Sequence, residues 1–493
     1  MILEGIDLMK IAKLTERLPM EYRVIGDAET DVSALSSDSR RIAPGCLFFC
    51  VSGLHFDAHK FAPDAVRNGA SALVVERELP IACAQIVVDN VRKAMSYIAA
   101  RFYGNPADRL KMIGITGTKG KTTTSFFVKR ILEAAGYRTG LIGTVCTLIG
   151  DRRKEAGKTT PDPIEFQETL REMADAGVEY VIMEISAHAL AMHRVAGIRF
   201  AAAGFTNLSQ DHLDYFGTME NYLEAKLAIL DMADELAVNV DDDRVAEAVR
   251  ARRPSFLRLG IRELADLYAR GIEFSESGLS FKLCRHKRFE EDVCMRMTGI
   301  FNVYNALMAA GLASLLGIGA KEIKNGLESV KSVPGRIELL ETHTPYRVIL
   351  DYAHSPDALE NILNTVRATT RGRVIAVFGC GGGRDHMKRP MMGEIGGRLA
   401  DFCVITSDNP RDEEPMSIIN AIVEGISATA GAYTVIENRR EAIRFALSMA
   451  RESDAVVLAG KGHETYQEIC GVKHPFDEKI IVQELLDEMN GAV

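Results

Sequence analysis

Eight residues, Thr116-Gly-Thr-Lys-Gly-Lys-Thr-Thr123, lie between a short apolar segment, Met112–Ile115, and a stretch with helical periodicity. No other feature narrows the possible folds as much. A strand, a glycine-rich turn and a helix opening on Lys-Thr make an anion cradle. The glycines let backbone N–H groups turn inward, and the helix N-terminus adds positive potential. In such a loop Lys121 reaches the β- and γ-phosphates of a nucleotide and the Thr122 hydroxyl holds magnesium. Gly117, Thr118, Lys119, Gly120 and Thr123 complete the cradle. Ile115 stands where the full-length loop has its first glycine, so the match is to a shortened G-x-x-G-K-T form. The pattern predicts a helix over about 122–135, with Phe126, Phe127, Ile131 and Leu132 apolar and Gly136 at its end. Leu141–Val145 then reads as the next strand of a βαβ unit. The plain alternative is a Gly/Lys turn opening an ordinary helix.

The 493 residues suggest about three domains. With 47% hydrophobic and 26% charged residues, each can bury a core, which excludes disordered and fibrous classes. A net charge of −9 argues against nucleic-acid coating but leaves room for a local phosphate pocket. The longest nearly apolar run, 306–320, is short of the roughly 18–20 residues that a membrane span needs. Residues 1–7 show no basic n-region and no secretory h-region. Nine scattered cysteines, without two pairs at zinc-ligand spacing, fit reduced thiols in a cytoplasmic enzyme.

Turn-rich breaks at 104–108 and 333–336 divide the chain into domains 1–106, 107–334 and 335–493. The expected fold is α/β, with a central P-loop ATPase-type parallel sheet and a C-terminal Rossmann-like doubly wound sheet. In the last domain strands are predicted at 374–378, 402–406 and 455–459, and helices at 391–400, 416–427 and 439–449. The first domain is also mixed α/β, with strands at 47–51, 72–75 and 85–88 and a topology that the pattern leaves open. Residues 271–284 alternate around Gly278 as a small hairpin.

Glu184 ends the apolar strand Tyr180–Met183, with Ser186 and His188 beyond it. Taken alone, it reads as a solvated strand end. Beside a phosphate loop, a carboxylate at that position suits magnesium. Asp211, His212 and Asp214 crowd four positions, and His212 either ligates metal, orients substrate or belongs to a polar loop capping the next helix. Lys226, read alone, is an exposed helix lysine. In the last domain Gly379–Gly383 fails the dinucleotide spacing because Arg384 replaces the final glycine. Arg384, Lys388 and Arg389 read as a basic cluster. Asp408-Asn409-Pro410-Arg411 and Gly460-Lys461-Gly462-His463-Glu464 follow two further strands. Such loops gather at the carboxyl ends of a sheet, where Arg and acidic groups together suit a zwitterion.

These residues resemble the Mur ligases, the ATP-dependent amide-forming family of peptidoglycan precursor synthesis. The resemblance spans all three domains. It rests on the phosphate loop, Glu184-Ile-Ser186-Ala-His188, the Thr206–Glu220 stretch leading to Lys226, and Gly299-Ile-Phe-Asn302-Val-Tyr-Asn305. It continues through Gly335-Arg336-Ile-Glu338, Asp351-Tyr-Ala-His354-Ser-Pro356 and Gly460–Glu464. Ser37-Asp38-Ser39-Arg40 and Pro44–Phe48 are similar to the uridine-nucleotide domain of the tripeptide-forming members, and Asp408–Arg411 to the signature of those using meso-diaminopimelate.

The resemblance implies that meso-diaminopimelate is added to the D-glutamate of UDP-N-acetylmuramoyl-L-alanyl-D-glutamate through an acyl phosphate. It implies Ser39, Thr159, Thr160, Ser186 and Arg194 at the UDP-substrate, and Asn302, Arg336 and Asp351 at ATP. It implies Arg389, Asp408, Asn409, Pro410, Arg411, Gly460 and Glu464 at the amino acid. Lys121, Glu184, His212 and Lys226 would be catalytic. Magnesium would lie against Thr122, Glu184, His212 and a carbamylated Lys226, in a monomer. Phe216, Ala58 and Met192 depart from the family pattern. Alternatives are an L-lysine-adding relative, a folylpolyglutamate-type ligase, or a regulatory ATP-binding module. The N-terminal domain argues against the folate type, since a folate would not require it.

Overall fold

The computed structural model describes residues 8–53, 57–261, 265–275 and 278–491. The expectation for residues 1–7 lies outside them. The chain divides into two compact units: Met1–Asp211 with Thr218–Gly260 and Met308–Ile323, and His212–Gly217 with Ile261–Leu307 and Lys324–Val493.

The first unit contains two larger sheets and a two-stranded ladder of Met9–Lys10 with Asp31–Val32. In the N-terminal one the order is Tyr22–Ile25, Ala84–Val88, Ala70–Val75, Cys46–Phe49, Ala34–Ser36. Only the first pairing is antiparallel. That supplies the topology which pattern alone left open. Leu47, Phe49, Val74 and Ile86 pack on one face, and Phe48, Cys50, Leu73 and Val75 on the other. Period-two alternation with both faces covered explains why these strands read as unbroken apolar runs.

In the central sheet of this unit the parallel order is Thr139–Ile142, Tyr180–Glu184, Lys111–Thr116, Phe200–Phe205, Ala233–Asn239, Leu257–Gly260. The predicted βαβ unit is present, but Tyr180–Glu184 lies between its strands. The strand expected at 141–145 runs Thr139–Ile142, because Gly143 and Thr144 turn to wrap Glu184. The helix Lys121–Ala134 follows the phosphate loop and ends before Gly136 at φ 87°.

In the second unit the expected hairpin is a three-stranded meander, Leu267–Ser275, Gly278–Arg285 and Phe289–Met295. Its large sheet has the order Glu338–Leu339, Arg347–Asp351, Ala455–Ala459, Val374–Phe378, Phe402–Ile405, Tyr433–Val435, parallel except at the first pairing. Val374, Ala376 and Phe378 face one core, and Ile375 and Val377 the other. The loops after 351, 378, 405 and 459 therefore emerge along one carboxyl edge. Among the described residues no helix is long and apolar enough to cross a membrane. The apolar run 306–320 is split between the helices Ile300–Leu315 and Ala320–Ser329.

Candidate active site

In the first unit the phosphate loop is laced to the residues after the strand Phe200–Phe205. Asn207 O accepts from the Thr118 N–H and Asn207 Oδ1 from the Lys119 N–H, both at 2.9 Å. Thr206 Oγ1 donates to Lys119 O at 2.7 Å, and Thr118 Oγ1 to Ser209 O at 3.2 Å. Gly117, at φ 138°, is required: a Cβ there would lie 1.9 Å from Thr206 Oγ1. Lys121 Nζ crosses the loop and donates to Gly117 O and Thr118 O, each at 2.9 Å.

Glu184 is buried, so its reading as a solvated strand end fails. Thr122 Oγ1, Thr144 Oγ1 and the Thr144 N–H all donate to its carboxylate at 2.9 Å. One carboxylate and one hydroxyl are hard oxygen donors, a set that fits magnesium, which takes few protein ligands. Among the described residues no group of three or more His, Cys, Asp or Glu side chains could hold a metal.

Lys226 contradicts its reading as a surface lysine. It is 1% exposed, because the helix Met219–Leu227 turns it inward, where its Nζ donates to Gly117 O at 2.8 Å. Burial pushes its pKa well below the usual lysine range, and the neighbouring Lys121 charge adds to the shift.

The residues assigned by resemblance to the sugar-peptide meet beside Glu184. Thr159 Oγ1 lies 3.0 Å from Thr144 Oγ1. Thr160 Oγ1 donates to Glu184 O at 2.9 Å and accepts from the Ser186 N–H at 3.1 Å. Arg194 donates to Thr160 O at 2.8 Å and pairs with Asp162 at 3.2 Å. Ser39 stands apart in the N-terminal sheet's loop. There Arg40 grips Asp38 and lowers its pKa to about 2. Thr144 and Asn207, which organise both clusters, were not among the expected site residues. Of the departures, Ala58 is buried at the start of a short 3-10 turn capped by Asp57. Met192 Sδ touches Arg194.

His212, Asn302, Arg336 and Asp351 belong to the second unit. His212, at φ 55°, opens the turn Leu213–Phe216, whose Phe216 packs edge-on against Tyr215. It does not cap the following helix; Thr218 does. Buried Asn302 donates to Thr298 O at 2.7 Å. Asp351 accepts from the Ile337 and Ala353 N–H groups at 2.8 Å, and burial raises its pKa. It thereby pins Ile337 at φ 44°, a strained conformation for a β-branched residue. Arg336 stacks 4.9 Å from the Tyr352 ring centroid. Gly335 and Gly462 let three loops interlock, since a Cβ on Gly335 would lie 2.4 Å from His463 N.

Along the carboxyl edge Asn409 Nδ2 donates to Glu464 at 2.8 Å, and wholly buried Lys461 donates to Asn409 Oδ1 at 2.9 Å. Arg411, at φ 52°, donates to Gly382 O at 2.7 Å and to Glu468 at 3.2 Å. It does not cap the helix Pro415–Ser427; Glu414 does. The expected basic cluster is dispersed. Arg389 is buried against Glu413 at 2.9 Å, Lys388 donates to His354 O at 2.9 Å, and Arg384 is exposed. The glycines of 379–383 serve close packing: Cβ atoms on Gly379 and Gly382 would lie 2.1 and 1.9 Å from the carbonyls of Thr406 and Pro410.

An α/β chain with this loop, this buried glutamate and this lysine matches three family models. They are the Mur ligase family catalytic domain over 31–103, the Mur ligase middle domain over 115–313 and the Mur ligase glutamate ligase domain over 335–462. The chain belongs to the Mur ligase family. Among its relatives, the UDP-N-acetylmuramoyl-L-alanyl-D-glutamate–2,6-diaminopimelate ligase of Clostridium botulinum is 42% identical, over 95% of this chain and 98% of that one. The Clostridium perfringens enzyme of the same name is 44% identical over the same shares. A solved structure of a ligase with this name superposes with a TM-score of 0.69 at 31% identity, covering 98% of this chain and all of that one.

Proposed function

We propose that this chain joins meso-diaminopimelate to the D-glutamate of UDP-N-acetylmuramoyl-L-alanyl-D-glutamate, driven by ATP, in peptidoglycan precursor synthesis. As a Mur ligase it is an ATP-dependent, amide-bond-forming enzyme. The observation that carries the choice of amino acid is Asp408-Asn409-Pro410-Arg411 on the carboxyl edge. Full-length relatives named for diaminopimelate support it. The work divides among residues 1–106 for the uridine nucleotide, 107–334 for ATP and 335–493 for the amino acid.

A carboxylate is a poor electrophile. Transfer of the γ-phosphoryl group of ATP to the D-glutamate carboxylate gives an acyl phosphate. The amine then attacks the acyl carbon, and the tetrahedral intermediate expels phosphate. Lys121 and the loop N–H groups hold the β- and γ-phosphates, with Asn302, Arg336 and Asp351 on the nucleotide. From the resemblance, Thr122, Glu184, His212 and Lys226 as its carbamate would hold magnesium, and bound magnesium would neutralise charge between two anionic reactants. Ser39, Thr159, Thr160, Ser186 and Arg194 orient the sugar-peptide.

Diaminopimelate differs from L-lysine by a distal carboxylate, which Arg411 can pair in bidentate fashion. Lysine would leave that guanidinium facing a like charge. Wild-type kcat/KM is expected to favour diaminopimelate by a factor on the order of 10⁴, as for sites whose polar groups the wrong substrate leaves unpaired. In Arg411→Ala the ratio should fall toward parity. Equal use of both amines by the wild type, or an unchanged ratio in the variant, refutes the assignment.

A further inference from the structure

Arg439 opens the helix Arg439–Met449, where its charge opposes the helix dipole, yet it is wholly buried. A residue that breaks a local rule so plainly answers to something outside its own helix. Its Nε donates to Glu478 Oε1 at 2.8 Å and its Nη2 to Ala459 O at 2.9 Å. Glu478 is itself buried at the head of the helix Glu478–Met489. The third nitrogen, Nη1, lies 4.0 Å from Asp408 Oδ2. Neither of those two atoms has a hydrogen-bond partner.

Asp408 is buried, and its Oδ2 points at Gly460: a Cβ on that glycine would lie 2.3 Å away. The same Cβ would lie 3.9 Å from Arg439 Nη2. Burial works to raise the pKa of Asp408. The charges of Lys461, Arg439 and His354 outweigh it and hold the group below the usual carboxylate range. A desolvated carboxylate oxygen without a hydrogen-bond partner calls for a donor, and a cationic one matches its charge.

We infer that Arg439, locked by Glu478, is a positioning residue for the incoming amino acid. It holds Asp408 with Oδ2 against Gly460, where that oxygen receives a substrate ammonium. The inference rests on the amino-acid site proposed above. A merely structural Arg439–Glu478 pair would tie two helices together, and removing both partners at once would leave substrate binding untouched.

The test compares full-length Arg439→Met, the double variant Arg439→Met/Glu478→Leu, and Asp408→Asn, with folding followed by thermal unfolding. The double variant removes both charges of the Arg439–Glu478 pair at once, so it decides the matter where the single variant does not fold. In both Arg439 variants KM for diaminopimelate should rise by about ten-fold, the scale of one charge-assisted hydrogen bond, with KM for ATP and for the UDP-dipeptide unchanged. The acid limb of kcat/KM for diaminopimelate should move to higher pH, because Asp408 loses a cation that keeps it ionised. A folded double variant with wild-type KM and an unmoved acid limb overturns the role of Arg439. If Asp408→Asn raises KM in that case, the amino-acid site stands and only the positioning role falls. If Asp408→Asn also leaves KM unchanged, both fall.

Discussion

Lys121→Ala is expected to lower kcat by about 10³-fold or more, since one preorganised cation at a transferring phosphoryl group contributes on that scale. The fold should survive. Lys121 Nζ donates to the loop carbonyls Gly117 O and Thr118 O, and Gly117 O keeps its bond from Lys226. Binding of the UDP-dipeptide should persist, because Ser39 lies in a turn beside the N-terminal sheet and the phosphate loop belongs to the central one. Calorimetric titration of the UDP-dipeptide and a phosphate-release assay separate the two effects. Near-normal turnover in the variant would falsify the phosphate-loop assignment.

Lys226→Ala should be almost inactive for a different reason. Its amine is buried, and desolvation, with the Lys121 charge beside it, pushes its pKa well below the usual lysine range and so favours the neutral form. A neutral amine can attack CO2: the N–C bond forms, a C=O π bond opens, and the nitrogen sheds a proton. The resulting carbamate is an anion suited to magnesium. Since a proton is released, raising pH favours the carbamate and lowering pH reverses it. Intact-protein mass should show an added CO2 that the alanine variant lacks. Acetate or formate should restore part of that variant's activity by replacing the lost anion. An unmodified, fully active wild type stripped of CO2 would rule the carbamate out.

The phosphate loop and the C-terminal strands were legible in the chain because each is a local signal. Val374–Phe378 and Ala455–Ala459 run where expected, as continuous apolar runs bounded by polar or glycine residues. The burial of Lys226 was illegible from periodicity, since its helix has little amphipathic contrast and a lysine there reads as solvated. Only the resemblance pointed to a role for it. Arg439 and Glu478 look like charged helix starts on a surface. They are interior because two helices converge behind Ala459, and no window of sequence reports that convergence. The basic residues 384–389 failed as a cluster for the same reason. Adjacent positions on a turn diverge, and Arg389 finds Glu413, 24 positions away.

The strand Ala455–Ala459 pairs with both Arg347–Asp351 and Val374–Phe378, yet it leaves the ribosome last among the parallel strands of its sheet. Until it arrives, two apolar strand edges made some 80 to 100 residues earlier have no partner between them. Vectorial synthesis therefore yields a C-terminal domain that closes from the middle, in one late step, rather than zipping up strand by strand. Nascent chains arrested before residue 455 should recruit chaperones and be cut readily within 347–378. Chains released after residue 489, once the helix Glu478–Met489 has also emerged to cover the sheet, should resist the same protease.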